Sequence, residues 1–455
     1  MRDTIAAIAT GQQVAAIGIV RMSGPQSIAI ADRLFLPYGG GTMCGQPDRK
    51  LVFGKLQSTK GELLDIALCT ISRGPGSYTG EDTAEFQCHG SPMLLQTLLR
   101  ELFLLGARQA GPGEFTKRAF LNGRMDLSAA EAVIDLIDAE SEEAVKNAAG
   151  QLGGAIHRKV ERIYSELTDM SAHFHAVLDY PDEDIEEFEI GSYRQSLQNN
   201  LDELNALLKT FERGRLMNRG IPAAIIGLPN AGKSSLLNAL LGYDRAIVTE
   251  IPGTTRDTVE ERVSLGGVTL RLIDTAGIRR SEDPVEQLGV ARSRQAAENA
   301  GLVLAVVDAS ETYNADDAGL KEILHAAEEA KHGIVVLSKA DLPQRLQIPK
   351  LGVPVLSVSS RTGEGLEKLG ETVAALFPST EAPAGEILTN ARQAEAVARA
   401  VQSMQRVMDE LEAGLTPDII LTEVEGAMAA LGELTGASIR EDVTNRIFAR
   451  FCVGK

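Results

Sequence analysis

Gly227-Leu-Pro-Asn-Ala-Gly-Lys-Ser234 decides how this chain reads. It fits G-x-x-x-x-G-K-[ST], the phosphate-binding P-loop. The apolar run Ala223-Ala-Ile-Ile226 before it predicts a buried strand. Ser235-Leu-Leu-Asn-Ala-Leu-Leu241 after it has helical spacing and stops at Gly242. Strand, glycine loop and helix are the context the motif requires. The glycines let backbone N–H groups wrap phosphates, and the helix N-terminus adds its positive end. Asn230, Ala231, Gly232, Lys233, Ser234 and Ser235 form the candidate cradle. Lys233 is expected on the β and γ phosphates and the Ser234 hydroxyl on Mg2+. A chance glycine turn is the bland alternative, and the flanking strand and helix argue against it.

The residues downstream point to guanine. Asp274, Thr275, Ala276 and Gly277 end the apolar run Val268–Ile273. A P-loop GTPase places there its second Mg2+-side aspartate and the glycine whose amide meets the γ-phosphate. Ser338, Lys339, Ala340 and Asp341 follow a second apolar run, Ile334–Leu337, and resemble the guanine-reading N-K-x-D box. A carboxylate at Asp341 accepts both the ring N1–H and the exocyclic amine of guanine; adenine offers neither in that arrangement. Ser338 departs from the usual Asn, which bridges the base loop to the P-loop, so looser nucleotide binding is expected. Ser359, Ser360 and Arg361, after Val353–Val358, resemble the last guanine loop.

Two features set this chain apart from Ras-like enzymes. Ile278 stands where a Gln would orient the attacking water. Glu282, Asp283 and Glu286 are the acidic residues close enough in sequence to replace it. The stretch Thr249, Glu250, Ile251, Pro252, Gly253, Thr254 and Thr255 offers Thr255 as the switch threonine on Mg2+. Its carbonyls, together with Asn230, suit a monovalent cation held against the phosphates. Such a cation would do the work of an arginine finger, which contributes roughly 10³–10⁵ in rate.

The chain has 455 residues, enough for about three domains, and 44% apolar residues, enough for sizeable cores. It shows no apolar run of the roughly 18 residues that a membrane helix needs, and no secretory leader, so a cytoplasmic location without membrane attachment is expected. Cys44, Cys69, Cys88 and Cys452 have no C-x-x-C spacing, which argues against a zinc site or disulfide framework. The net charge of −18 argues against a generally adhesive nucleic-acid binder. Arg440, Arg446, Arg450 and Lys455 against Glu441 and Asp442 leave a weak local basic excess for tRNA phosphates.

Residues 1–119 read as a mixed α+β domain with strands over Thr4–Thr10 and Ala15–Arg21, a turn-rich loop Ser72–Gly80 and a helix Met93–Leu105. Residues 120–215 turn helical: Ile156, Val160, Ile163, Leu167, Met170 and Phe174 follow steps of three and four, as do Leu197, Leu201, Leu204, Leu208 and Phe211. The acidic run Asp179–Glu187 reads as a solvated loop before it reads as a metal site. Residues 216–380 hold the nucleotide motifs, and 381–455 return to helix over Ala391–Glu412 and Val424–Leu434. The expected architecture is a multidomain α/β chain: an N-terminal α+β domain, a helical bundle, and a Ras-like P-loop G domain inserted in that bundle.

Along its whole length the chain resembles the tRNA modification GTPases of the MnmE (TrmE) family. The resemblance rests on Gly18–Arg21, Ser77–Asp82, Glu85–Gly90, Pro112–Arg124, Asp126-Leu127, Gly253–Asp257 and the terminal Phe451–Lys455. It implies an N-terminal domain that dimerises and binds a tetrahydrofolate one-carbon donor, 5-formyl- or methylene-tetrahydrofolate. The implied folate residues are Arg21, Glu85, Arg124 and Lys455, with Cys452 held near the donor. It further implies a potassium site at Asn230, Thr249, Ile251 and Thr254, and Glu286 as the water-orienting glutamate. The implied reaction installs an aminomethyl or carboxymethylaminomethyl group at C5 of the wobble uridine, with a flavoprotein partner, MnmG (GidA), supplying FAD. The chain has no G-x-G-x-x-G fingerprint of its own, which agrees with a separate flavin carrier. Era- and EngA-like ribosome-assembly GTPases share the nucleotide boxes, but they call for an RNA-binding fold beside them. A folate-dependent aminomethyl transferase with an idle G domain is a third reading, against which Lys233, Ser234, Thr255 and Asp274 all stand intact.

Overall fold

Alternating apolar and polar residues build the first sheet. In β4 (Val52–Gln57), Val52, Gly54 and Leu56 point inward while Phe53 and Lys55 face out. Around it lie β1 (Ile5–Ile8), β2 (Ala15–Ser23), β3 (Phe35–Pro37), β5 (Leu63–Ser72), β6 (Thr83–Gly90) and β7 (Arg108–Gln109), in the order β3-β4-β5-β6-β2-β1-β7. Every pairing is antiparallel except β1 with β7. The helix Pro92–Leu104 lays Leu95, Leu98 and Leu102 into a core with Val20, Met22 and Phe86. Gly18 in β2 permits this approach, since a Cβ there would stand 2.5 Å from Leu95 Cδ1.

The computed structural model describes residues 3–11, 13–180, 190–243, 261–273, 300–313, 317–377, 382–437 and 441–454. The chain divides into two compact units. The first holds this sheet with residues 1–134, 152–190 and 402–455. In it the long helix Ala155–Asp179 packs against the helix Pro417–Thr435. The predicted stripe from Ile156 to Phe174 is buried in full. The helix Pro417–Thr435 starts seven residues before the predicted Val424, because Pro417 at its first turn fits a helix start and carries no N–H to leave unpaired.

The second unit comprises residues 135–151 and 191–401. Its sheet contains β8 (Ile221–Gly227), β9 (Glu261–Leu265), β10 (Val268–Leu272), β11 (Leu302–Asp308), β12 (Gly333–Ser338) and β13 (Val355–Ser357), in the order β13-β12-β11-β8-β10-β9. All neighbours are parallel except the β9–β10 hairpin, whose Gly266 and Gly267 take φ of 61° and 77°. Every residue of β11 is buried, as expected of a central strand covered on both faces. One cover includes Leu236, Leu237 and Leu240 after the P-loop; the other includes Leu320, Leu324 and Ala327. The helix after the P-loop, Lys233–Tyr243, runs through Gly242 instead of stopping there. The predicted Leu197–Phe211 stripe is also adjusted. Leu207, not Leu208, is buried, and Phe211 opens a new helix, Phe211–Arg219. No helix among the described residues is long and apolar enough to cross a membrane.

Candidate functional site

Open parallel sheets bind ligands beyond the carboxyl ends of their strands. In the second unit, β8 ends at Gly227, where a Cβ would come within 2.4 Å of the Val306 carbonyl. The loop then turns through Asn230 (φ 60°) and Gly232 (φ 93°) before the helix starts at Lys233. Its first-turn N–H groups and positive dipole end point at the loop. Lys233 Nζ donates to the carbonyls of Gly227 (2.9 Å) and Leu228 (2.8 Å), so the ammonium sits over the loop's concavity. Asn230 and Ser235 are exposed, and Ala231 is buried beneath.

The base loop is built from the ends of β12 and β13. Ser338 closes β12 almost completely buried, and its Oγ donates to the Ala231 carbonyl at 2.6 Å. The bridge from base loop to P-loop is therefore present despite the missing Asn. Lys339 takes a positive φ of 58° and pairs through Nζ with Asp308 Oδ2 at 2.5 Å. Asp308 ends β11. Burial raises its pKa, but Lys339 and the two bonds from Ser310 outweigh this and hold it low. Asp341 is exposed; its Oδ1 accepts from Ser359 Oγ at 2.7 Å, and its Oδ2 lies 3.7 Å from Arg361 Nε. The Ser359 bond first, then a backbone N–H bond and Arg361, outweigh burial and keep this carboxyl below the ordinary Asp range, so it is ionised and acceptor-only at neutral pH. Ala340 N donates to Val358 O at 3.3 Å, joining the two base-loop segments, and Ser360 follows Ser359 in the same turn.

In the first unit the C-terminal tail reaches the N-terminal sheet. Pro112 bridges Val453, Gly113 N donates to Cys452 O at 3.3 Å, and Arg21 Nη1 donates to Gly454 O at 3.3 Å. Gly454 has φ 100°, and a Cβ there would come within 2.4 Å of Ile8 O, so only glycine lets the tail lie this close to the sheet. Arg21 pairs with Glu85 at 3.1 Å across the β2–β6 register and stacks 5.6 Å from the Phe115 ring centroid. Its Nε is buried with no hydrogen-bond partner among the described residues. An unsatisfied guanidinium N–H beside an aromatic face suits a ligand that carries a carboxylate or carbonyl. Cys452 is a free, exposed thiol. Arg124 is also exposed, its stem passing Gly80, where a Cβ would stand 3.3 Å from Arg124 Cγ.

Several predicted residues lie outside the described ones: Thr249, Glu250, Ile251, Pro252, Gly253, Thr254 and Thr255; Asp274, Thr275, Ala276 and Gly277; Glu282, Asp283 and Glu286; and Lys455. The acidic run beyond Tyr180 does too. Among the described residues no cluster of His, Cys, Asp or Glu is placed to hold a metal.

The family model of the MnmE helical domain matches residues 127–452, and that of the GTP-binding protein TrmE N-terminus matches residues 4–124. The tRNA modification GTPase MnmE of Roseiflexus sp. (strain RS-1) is 44% identical, over 100% of this chain and 99% of its own length. That of Symbiobacterium thermophilum is 42% identical with the same coverage. This chain belongs to the MnmE family. A solved G domain of the T. maritima FeoB iron transporter is 30% identical over 34% of this chain and 98% of its own, with a TM-score of 0.25. The family assignment rests on the full-length relatives.

Within this MnmE-family chain, reading the sequence alone passed over Asp308, Phe115 and Gly454. Asp308 was visible as a carboxylate closing an unbroken apolar strand. Phe115 and Gly454 stand inside the family motifs Pro112–Arg124 and Phe451–Lys455. A further feature depends on contacts between residues distant in sequence. Arg118 binds Asp3, Glu81 and Glu114, and Arg108 joins Asp3 and Glu114, at the wall of a 440 Å3 cavity. Burial pushes the Glu114 carboxyl up, yet Arg108, the Gly111 N–H and Arg118 together hold it at about 2.

Proposed function

We propose that this chain is a potassium-dependent GTPase that modifies the wobble uridine of certain tRNAs at C5, using a tetrahydrofolate one-carbon donor and a flavoprotein partner. As a member of the MnmE family it is a GTP hydrolase acting in tRNA modification, with GTP and GDP as nucleotides, Mg2+ as metal and tRNA as substrate. The observation that carries the nucleotide half is the Ser338–Ala231 bond, which ties a guanine-type loop to the P-loop. In this reading Lys233 leaves the loop carbonyls for the β and γ phosphates, and Ser234 with Thr255 holds Mg2+. Asp274 and Gly277 face the γ-phosphate. Asn230, whose side chain is exposed at the loop tip, holds K+ with Thr249, Ile251 and Thr254. Bound K+ supplies positive charge beside the transferring phosphoryl group. Glu286 orients the attacking water.

The folate half rests on Arg21. Its unpartnered Nε and its pairing with Glu85 leave room for a folate carboxylate and for pterin N–H groups, with Arg124 and Lys455 as further cations. Cys452 stands beside this site through the tail contacts. Leu36, Tyr38, Phe53 and Ile66 are exposed on the outer face of the first sheet around Lys55, a largely apolar surface suited to a second copy of the chain. The segments 120–215 and 381–455 form the helical host, the G domain 216–380 is inserted between them, and residues 1–119 are the folate and dimer domain. FAD comes with the partner MnmG (GidA).

Potassium separates this reading from an ordinary GTPase. At equal ionic strength, kcat in KCl is expected on the order of tenfold or more above that in NaCl. Asn230→Ala should erase the difference. Equal rates in both salts would remove the cation from the account. The folate site is tested by titration: Arg21→Ala should weaken binding of 5-formyl-tetrahydrofolate by roughly ten- to a hundredfold, the worth of one charge-assisted contact. GTP turnover should be unchanged, and unaltered folate affinity would refute the assignment.

A further inference from the structure

We propose that Ser338 ties the base loop to the P-loop without touching the base: its single hydroxyl proton is committed to the P-loop, so guanine is held without a hydrogen bond from this position to purine N7. The inference rests on the reading of Asp341 as the guanine carboxylate. A serine hydroxyl has one proton and two acceptor lone pairs. That proton goes to the Ala231 carbonyl at 2.6 Å, and the one other hydrogen-bonding neighbour among the described residues, the Val307 carbonyl at 3.3 Å, is a second acceptor. Both contacts require the hydroxyl to donate, so none is left for a base. The residue is buried, and Gly232 packs on it: a Cβ there would stand 3.4 Å from its Oγ. The hydroxyl therefore cannot turn outward without leaving an unpaired carbonyl in the wall between the two loops, which is costly.

An asparagine amide differs in one respect. It carries two N–H donors, so it can satisfy the same carbonyl and still offer a proton to an acceptor on the base. The acceptors on guanine's outer edge are N7 and O6, while its N1–H and amine go to Asp341. Ser338 thus keeps the mechanical tie between base loop and P-loop and gives up one direct contact to the nucleotide. Selection of guanine is left to the Asp341 carboxylate, which Ser359 and Arg361 hold in place.

The test compares GTP with 7-deaza-GTP, which replaces N7 by C–H and leaves the Asp341 edge intact. The unaltered protein should bind the two within about twofold. Ser338→Asn should bind GTP more tightly by about three- to tenfold while binding 7-deaza-GTP as before, the range of one neutral hydrogen bond. Ser338→Ala should lose affinity for both equally, because it lacks the tie and never had the base contact. A marked preference for GTP in the unaltered protein would overturn the proposal, as would a Ser338→Ala protein that binds both as well as the parent. ATP competition separates this from failure of the guanine reading. If ATP displaces GTP as well as GTP itself does, Asp341 does not select guanine and the proposal falls with it.

Discussion

A Cys452→Ser protein is expected to turn over GTP at the parental rate and to leave the wobble uridine unmodified. The thiol is exposed, so exchanging it for a hydroxyl opens no cavity and strands no buried group. It belongs to the unit formed by residues 1–134, 152–190 and 402–455, whereas the P-loop and Asp341 belong to the other. In the proposed reading it serves the one-carbon chemistry, so GTP turnover is expected to proceed without it. Its place is set by Gly113 and by Val453 against Pro112, two residues before the glycine whose carbonyl Arg21 holds. Modified nucleosides in tRNA from cells that carry only the variant are the readout. Normal modification would reduce the tail to a structural end.

Glu286→Ala should slow GTP hydrolysis by roughly 10²–10³, the scale on which one positioned group acts, with little change in nucleotide affinity. The residue is assigned to the attacking water, which matters in the transition state and not in the bound ground state, so kcat falls and KM stays. Ile278 is the reason such a residue is needed, because its side chain has no hydrogen-bonding atom to hold a water. Single-turnover rates with a separate nucleotide titration distinguish the two quantities. Undiminished turnover would pass the role to Glu282 or Asp283.

How much was legible follows the range of the interactions. The P-loop was readable because its strand, glycines and helix are contiguous, and local backbone demands write themselves into adjacent residues. The Ile156–Phe174 stripe was readable for the same reason. Leu208 was misplaced against Leu207 because the stripe was run on into Phe211, and the helix ends at Lys209, with Thr210 leading into a new one. Ser338 stood out as a departure, but its consequence was not readable: looser binding was expected from a lost bridge. The bridge survives, since a short hydroxyl reaches the Ala231 carbonyl once β12 and the P-loop lie side by side. In the Arg118 cluster the Glu114 pair is a local i,i+4 contact on one helix, whereas Asp3 and Glu81 are far off in sequence with no local pattern, and only the folded chain brings them in.

The central claim is that this chain's GTP hydrolysis serves modification of the wobble uridine, and the nucleosides themselves report it. Total tRNA from a strain lacking the gene, and from the same strain carrying it again, would be digested and analysed by mass spectrometry. The account predicts that aminomethyl- and carboxymethylaminomethyl-uridine derivatives vanish without the gene. They should return with the intact chain and fail to return with Glu286→Ala or Cys452→Ser. Unchanged levels of those nucleosides in the deletion strain would contradict it.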